Sequence, residues 1–305
     1  MLAALAALAA IVAGARAIYP RLIERRASVR RRFGADGIVV GGGTIDLGRP
    51  GANGVLLLHG AGDTPQVLGG LAQYLGERGF SVRVPLLSGH GRALRDFAAV
   101  SAKAWHDDAR REYDAMRESH ERVAVVGLSM GGALAIRLAA DRGSDVPALV
   151  LLAPYVAMPD YVRRAARSSI WWGPLWPYFS SRGGRSVHDP EAAARALGYG
   201  LFTPAALRSL HQVMLDADRA LPAVTAPTLV VHSREDNRIP RDGATAAFDR
   251  LGAREKQLIW VEGAGHVITV DFGYERVFAL TGEWLARHAG ISPRRQASEG
   301  SIQRG

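Results

Sequence analysis

The segment of this chain best equipped for covalent chemistry is Gly127-Leu128-Ser129-Met130-Gly131. It follows an apolar, strand-like run, Val123–Val126, and leads into a helix-forming stretch, Gly131–Asp141. A G-x-S-x-G between strand and helix turns the chain sharply and projects the serine hydroxyl. Such a turn strains the backbone at the nucleophile. Side chains two residues to either side would collide there, so both positions call for glycine. Gly132 adds room for close helix-to-strand packing. The following helix points its N-terminus at the serine, and the Met130 N–H is free to donate to an oxyanion.

A serine nucleophile needs a base, and the base needs an orienting acid. Nucleophile, acid, base is one of the known chain orders for such a trio. Downstream, the run Thr228–Val231 opens into His232-Ser233-Arg234-Glu235-Asp236, a loop that carries carboxylates. Asp236, followed by Asn237-Arg238-Ile239-Pro240, is the expected acid, in preference to Glu235. The next run, Gln257–Val261, ends in Glu262-Gly263-Ala264-Gly265-His266. Those glycines let the His266 ring reach over the sheet edge as the base. His288, on a terminal helix, is expected to face solvent, and His211 is a weaker alternative base. A second oxyanion donor is expected from His59-Gly60-Ala61-Gly62, which follows the run Val55–Leu58. The Ala61 N–H is the candidate. His59 is placed at the substrate site, bracing this loop by hydrogen bonds without moving protons. Gly89-His90-Gly91 reads as a loop at the site's rim.

These residues must be held by a scaffold, and the chain alternates strand-like and helix-like segments. Short apolar runs occur at Val55–Leu58, Phe80–Val84, Val123–Val126, Ala148–Leu152, Thr228–Val231 and Gln257–Val261. Runs of this kind suit strands buried on both faces of a parallel sheet. Helical patterns lie between them at Val67–Arg78, Ala102–Arg117, Gly131–Asp141, Asp242–Leu251 and Phe272–His288. The alternation predicts an α/β layered fold. Tyr155–Leu221 breaks it, with no convincing strand and nine of the chain's 22 aromatic residues. It reads as a mainly helical lid over the sheet edge where such folds place ligands. Trp171, Trp172 and Trp176 are expected to line the substrate site.

Composition narrows the function classes. The 305 residues are 48% hydrophobic and 22% charged, which is globular. There is no cysteine, which excludes disulfide scaffolds, thiolate metal sites and cysteine nucleophiles. The formal charge of +9 belongs to the ends. Residues 1–36 carry seven arginines against Glu24 and Asp36, and residues 291–305 carry three against Glu299, which leaves +2 for residues 37–290. A nucleic-acid reader would carry its basic patch on the folded body, so no nucleic-acid partner is expected. Gly41-Gly42-Gly43 lacks a dinucleotide-binding context, no phosphate-binding G-x-x-x-x-G-K-[S/T] occurs, and no histidine or carboxylate cluster has metal-ligand spacing. Neither metal nor cofactor is expected.

The expected division is an apolar segment and arginine-rich stem (1–36), a catalytic domain (37–290, with the lid at about 155–221) and a disordered tail (291–305). Residues 1–20 are marginal in length for a spanning helix. Their arginines follow the apolar run, the reverse of a secretory signal. A membrane anchor with a cytoplasmic catalytic body, an alanine-rich surface helix, and an atypical signal cleaved near Ala13-Gly14-Ala15 all stay open. Oligomeric state is open as well.

With these residues in place, the chain resembles the α/β-hydrolase superfamily, and within it the bacterial carboxylesterase and monoacylglycerol lipase group, over about residues 50–290. The resemblance is carried by Leu57-Leu58-His59-Gly60, Ser88-Gly89-His90-Gly91, Trp105 with Asp107-Asp108, Gly127–Gly132, Asp236 and Gly265-His266-Val267-Ile268-Thr269-Val270-Asp271. It implies a mostly parallel sheet flanked by helices with an inserted helical lid. It also implies Ser129, Asp236 and His266 as nucleophile, acid and base, with backbone donors at Ala61 and Met130. Ala61 stands where many relatives have a bulky aromatic, and the tryptophan pattern of the lid does not match the family's. The expected reaction is hydrolysis of medium-chain acyl esters or monoacylglycerol through an acyl-enzyme, on a small lipophilic substrate. An acyltransferase with the same triad, or a ligand-binding homologue without turnover, is the alternative. A dehalogenase of the same fold needs a carboxylate nucleophile, which Ser129 excludes.

Overall fold

The computed structural model describes residues 14, 18–26, 31–48, 53–173, 176–180 and 186–290. The expected tail (291–305) and most of the apolar run (1–20) lie outside the described residues. Among the described residues no helix is long and apolar enough to cross a membrane.

In chain order the strands are β1 (Ile45–Leu47), β2 (Asn53–Leu58), β3 (Ser81–Val84), β4 (Arg122–Leu128), β5 (Leu149–Leu152), β6 (Phe179–Ser180), β7 (Leu201–Phe202), β8 (Thr228–Ser233) and β9 (Lys256–Val261). Seven of them form one sheet in the order β1-β3-β2-β4-β5-β8-β9. Only β1 runs antiparallel, along β3. The others pair in parallel, with Leu58 beside Gly127, Leu128 beside Leu152, and Ser233 beside Val261. This register brings the C-terminal ends of β2, β4, β8 and β9 to one edge, which is where the loops with the candidate residues begin.

The apolar runs are continuous because both faces of the sheet are covered. Leu56, Leu58, Val123, Val125, Leu149 and Leu151 face one layer, with helices Ala102–Ser119, Met130–Arg142 and Pro204–Ala220. Val55, Leu57, Ala124, Val126, Val150 and Leu152 face the other, with Gly69–Glu77 and Tyr274–His288. Alternation at period two sorts them. Each fully buried Leu or Val contributes about 1.5–3 kcal/mol to holding the layers together.

The structure adds elements that the sequence pattern did not show: edge strand β1, a 3-10 turn at Pro65–Leu68 and a helix at Leu94–Ala98. The aromatic insertion differs from expectation in two ways. It contains a strand pair, with Phe179 opposite Phe202 and Ser180 opposite Leu201. Its last helix, Pro204–Ala220, is a buried layer, with Val213 and Ala217 fully covered. The outer part, Asp160–Trp172, is the solvent-facing piece. His288 is also corrected. Its side chain is 9% exposed, packed at a tilt against Trp284 with ring centroids 4.2 Å apart, and lies 3.3 Å from Glu255.

Candidate active site

Ser129 follows β4 directly, with φ 54° and ψ −118°, a conformation that a residue with a β-carbon reaches only under constraint. The constraint is visible. The Ser129 N–H donates to Leu152 O on β5 at 2.9 Å, and its carbonyl accepts from Tyr155 N at 2.9 Å and Ala133 N at 3.1 Å. The flanking glycines are required by space. A β-carbon on Gly127 would lie 2.3 Å from Gly131 O, and one on Gly131 would lie 2.0 Å from Leu58 O. One on Gly132 would meet the Pro154 backbone at 2.9 Å.

The structure brings the three expected side chains together. His266 Nε2 is 2.8 Å from Ser129 Oγ, and His266 Nδ1 is 2.8 Å from Asp236 Oδ2. Ser129 and His266 are nearly buried, and the Asp236 carboxylate is wholly so. The other Asp236 oxygen accepts from Arg238 N at 2.7 Å and Ile239 N at 3.0 Å. Burial pushes the Asp236 pKa up, but His266, His232 and the Ile239 amide together outweigh it and bring it to about 2. A carboxylate that stays charged in this position can hold His266 in one tautomer. Glu235 does a different job, accepting the Gly263 N–H at 2.6 Å in the neighbouring loop.

Two buried histidines hold the loop His59-Gly60-Ala61-Gly62, the expected source of an oxyanion donor. His59, fully buried, has Nδ1 2.9 Å from Gly60 O and accepts Leu87 N on Nε2 at 3.2 Å. It therefore meets backbone on both nitrogens and acts on the site only through the loop. His90, likewise buried, accepts the Gly62 N–H on Nε2 at 3.0 Å and has Nδ1 3.0 Å from Ser88 O. Ser88 is fixed in turn by Trp105 Nε1 on its carbonyl and by Asp108 on its N–H. The insertion reaches the same loop, since Tyr199 N donates to Gly62 O at 3.0 Å. Ala61 is half-buried beside these contacts and Met130 fully buried. Among the described residues neither N–H has a hydrogen-bond acceptor.

The tryptophans separate. Trp171 and Trp176 are 83% and 63% exposed, so neither packs against the catalytic side chains. Trp172 is half-buried and starts an aromatic column: its ring meets Phe179 at 5.8 Å, Phe179 meets Phe202 at 6.5 Å, and Phe202 meets Phe97 at 5.3 Å. A β-carbon on Gly62 would lie 3.5 Å from the Phe202 ring, so this column ends at the His59–Gly62 loop. His211, the alternative base, lies in helix Pro204–Ala220, and the imidazole bonded to Ser129 is that of His266. Burial, then Arg167 and Arg163, lower its pKa.

Sequence reasoning missed three residues that frame the site. Asp271, nearly buried, accepts N–H groups from Gly265, His188, Asp189 and Phe272 and so shapes the His266 loop. His232 places Nε2 3.3 Å from Asp236 Oδ2. Asp63 lies beside the nucleophile. The signals were a carboxylate in the Gly265–Asp271 run and polar residues at strand ends, where parallel-sheet runs are otherwise apolar.

A family profile described as "Serine aminopeptidase, S33" (Hydrolase_4) matches residues 50–272. The chain is 28% identical over 240 residues to a thermostable monoacylglycerol lipase of Bacillus sp. (strain H-257), covering 79% of this chain and 93% of that one. It is 29% identical over 224 residues to a carboxylesterase of Bacillus subtilis (strain 168), covering 72% and 87%. Among solved structures, one reported for the metagenome-derived lipolytic enzymes LipS and LipT superposes with a TM-score of 0.75 at 25% identity, covering 81% of this chain and 98% of that one.

Proposed function

The chain belongs to the Hydrolase_4 family of the α/β-hydrolase superfamily and is a serine hydrolase of the lipase and esterase group; from that premise we propose that it cleaves medium-chain carboxylic esters, monoacylglycerols among them, through an acyl-enzyme on Ser129. The observation that carries the proposal is the continuous chain from Ser129 Oγ through His266 to the buried Asp236, with 2.8 Å at each link.

Ser129 Oγ attacks the ester carbonyl carbon while His266 Nε2 takes its proton. The carbonyl π electrons move to oxygen, and the Ala61 and Met130 N–H groups receive that oxyanion. The intermediate collapses, the ester C–O bond breaks, and the imidazolium gives its proton to the departing alcohol. Water then repeats the sequence on the acyl-enzyme and releases the acid. Asp236 keeps the Nδ1 proton on His266 and stabilises the imidazolium. The apolar column from Trp172 to Phe202 beside the oxyanion loop supports an apolar acyl group.

A panel of p-nitrophenyl esters and monoacylglycerols graded by chain length tests the reading. Turnover is expected to peak at medium chains, and Ser129→Ala is expected to lose several powers of ten in kcat, as members of such a unit do. Undiminished hydrolysis by Ser129→Ala would falsify the proposal.

A further inference from the structure

Asp63 follows the oxyanion loop, and its carboxylate stands in the space that Gly60 leaves open. A β-carbon on Gly60 would lie 3.1 Å from Asp63 Oδ2 and 3.3 Å from Ser129 Cβ. The carboxylate and the nucleophile therefore border the same small volume, which exists because residue 60 has no side chain. The second oxygen faces the insertion, since a β-carbon on Gly198 would lie 2.8 Å from Oδ1. The Asp63 N–H donates to Gly60 O at 3.4 Å, which closes a turn that aims the side chain back over the loop. Among the described residues no hydrogen bond or ion pair reaches the carboxylate.

A half-buried carboxylate without a hydrogen-bond donor is incompletely compensated, and a bound molecule that offers donors while excluding water from it removes the cost. The acyl half of a lipophilic ester has no donors to offer. An alcohol half with a free hydroxyl does, and it must lie where His266 can return a proton to it. His266 and Arg238 are the charges that bear on Asp63. Burial raises its pKa to about 6 against both of them, in keeping with a group that lacks protein donors.

Resting on the esterase reading above, we propose that Asp63 accepts a hydrogen bond from a free hydroxyl of the leaving alcohol, which makes the enzyme selective for esters of polyols over esters of simple alcohols. Asp63 is then a specificity-determining residue beside the catalytic trio. Its carboxylate receives the neighbouring hydroxyl while His266 protonates the ester oxygen that departs. The aromatic side of the cleft takes the acyl chain in either case.

The experiment compares kcat/KM for 1-monolauroylglycerol with that for ethyl laurate, in the full chain, in Asp63→Ala and in the near-isosteric Asp63→Asn. The parent chain is expected to favour the glyceryl ester at least tenfold. Asp63→Ala is expected to lower that ratio at least tenfold, and Asp63→Asn, which keeps a neutral acceptor, to lie between the two. Folding of the variants is read from the thermal melt and from the rate of fluorophosphonate labelling. A parent ratio near one overturns the proposal while ester hydrolysis itself stands. A ratio within twofold of the parent in Asp63→Ala overturns it as well. If no ester is turned over by the parent chain, the esterase reading fails and the assignment of Asp63 falls with it.

Discussion

The Gly62 N–H has His90 Nε2 as its acceptor at 3.0 Å, so His90 holds the loop that carries the Ala61 amide. An imidazole that accepts at one nitrogen while the other faces a carbonyl is neutral with its proton on Nδ1. Burial, and then the neighbouring His59, hold the His90 pKa well below the usual value, which preserves that state. His90→Leu would strand the buried Gly62 N–H, at a cost of about 1–3 kcal/mol. The expected readout is a fall in kcat of about 10- to 100-fold with KM within about twofold, because the loss falls on the oxyanion. His90→Gln, whose Oε1 can stand near the Nε2 position, is expected to recover much of it. An unchanged kcat in His90→Leu contradicts this role. Ser129, Asp236 and His266 were legible in the sequence because each sits in a local pattern of strand end, glycine and loop. The bond from His90 to Gly62 joins residues 28 apart, and nothing local encodes it. His90 was therefore seen as a rim residue and its grip on the oxyanion loop was not.

The turn from β4 into helix Met130–Arg142 is where element packing and chemistry meet. The helix can approach β2 only because residue 131 has no side chain, given the 2.0 Å from its virtual β-carbon to Leu58 O. Gly131→Ala must push the helix from the strand or distort the turn, and overpacking of this kind costs about 1–3 kcal/mol. Because Leu58 leads into the oxyanion loop and Gly131 adjoins Met130, activity should fall further than stability. A melting curve and an ester assay on the same sample check this; full activity with a lowered melting temperature contradicts it. At this scale the strands under two layers were legible, since burial on both faces writes a continuous apolar run. Edge strand β1 was not, because Ile45-Asp46-Leu47 spans three residues and pairs on one side only. The pair β6 and β7 is shorter still, and it is held by aromatic packing in an insertion too irregular for a periodic signal. His288 was misplaced because the terminal helix buries it against Trp284, a contact that a terminal position does not announce.

Over the whole molecule, the basic stem touches the insertion beside the site. Arg31 Nη2 donates to Gly198 O at 2.5 Å and its guanidinium lies 4.9 Å over the Tyr199 ring, at the point where the insertion touches Gly62. The buried imidazoles set the acid response of the fold. Burial is the main cause that lowers His59 and His232 to about 4 from the ordinary 6.5, with His90 lowered as well. An unfolded chain takes up these protons between pH 6.5 and about 4 and the folded chain does not. The imidazoles' share of the stability is therefore fully present above 6.5 and declines as pH falls toward 4, by about 1.4 kcal/mol per pH unit for each. Asp63, raised by burial to about 6 from its ordinary 3.8, has the opposite sign between those values and offsets one imidazole, so the net is a decline. Asp236 has the same sign as the imidazoles in a lower window, from its ordinary 3.8 down to about 2. Urea unfolding at pH 7, 6 and 5 is expected to show this decline, and a flat profile contradicts it. The central claim, that Ser129 is the nucleophile of an acyl-transferring trio, is tested most directly by treating the full chain with a fluorophosphonate and mapping the adduct by peptide mass spectrometry. One phosphonyl group per chain is expected, on Ser129, with loss of ester hydrolysis in proportion to labelling. An unlabelled Ser129, or hydrolysis that persists at full labelling, would contradict it.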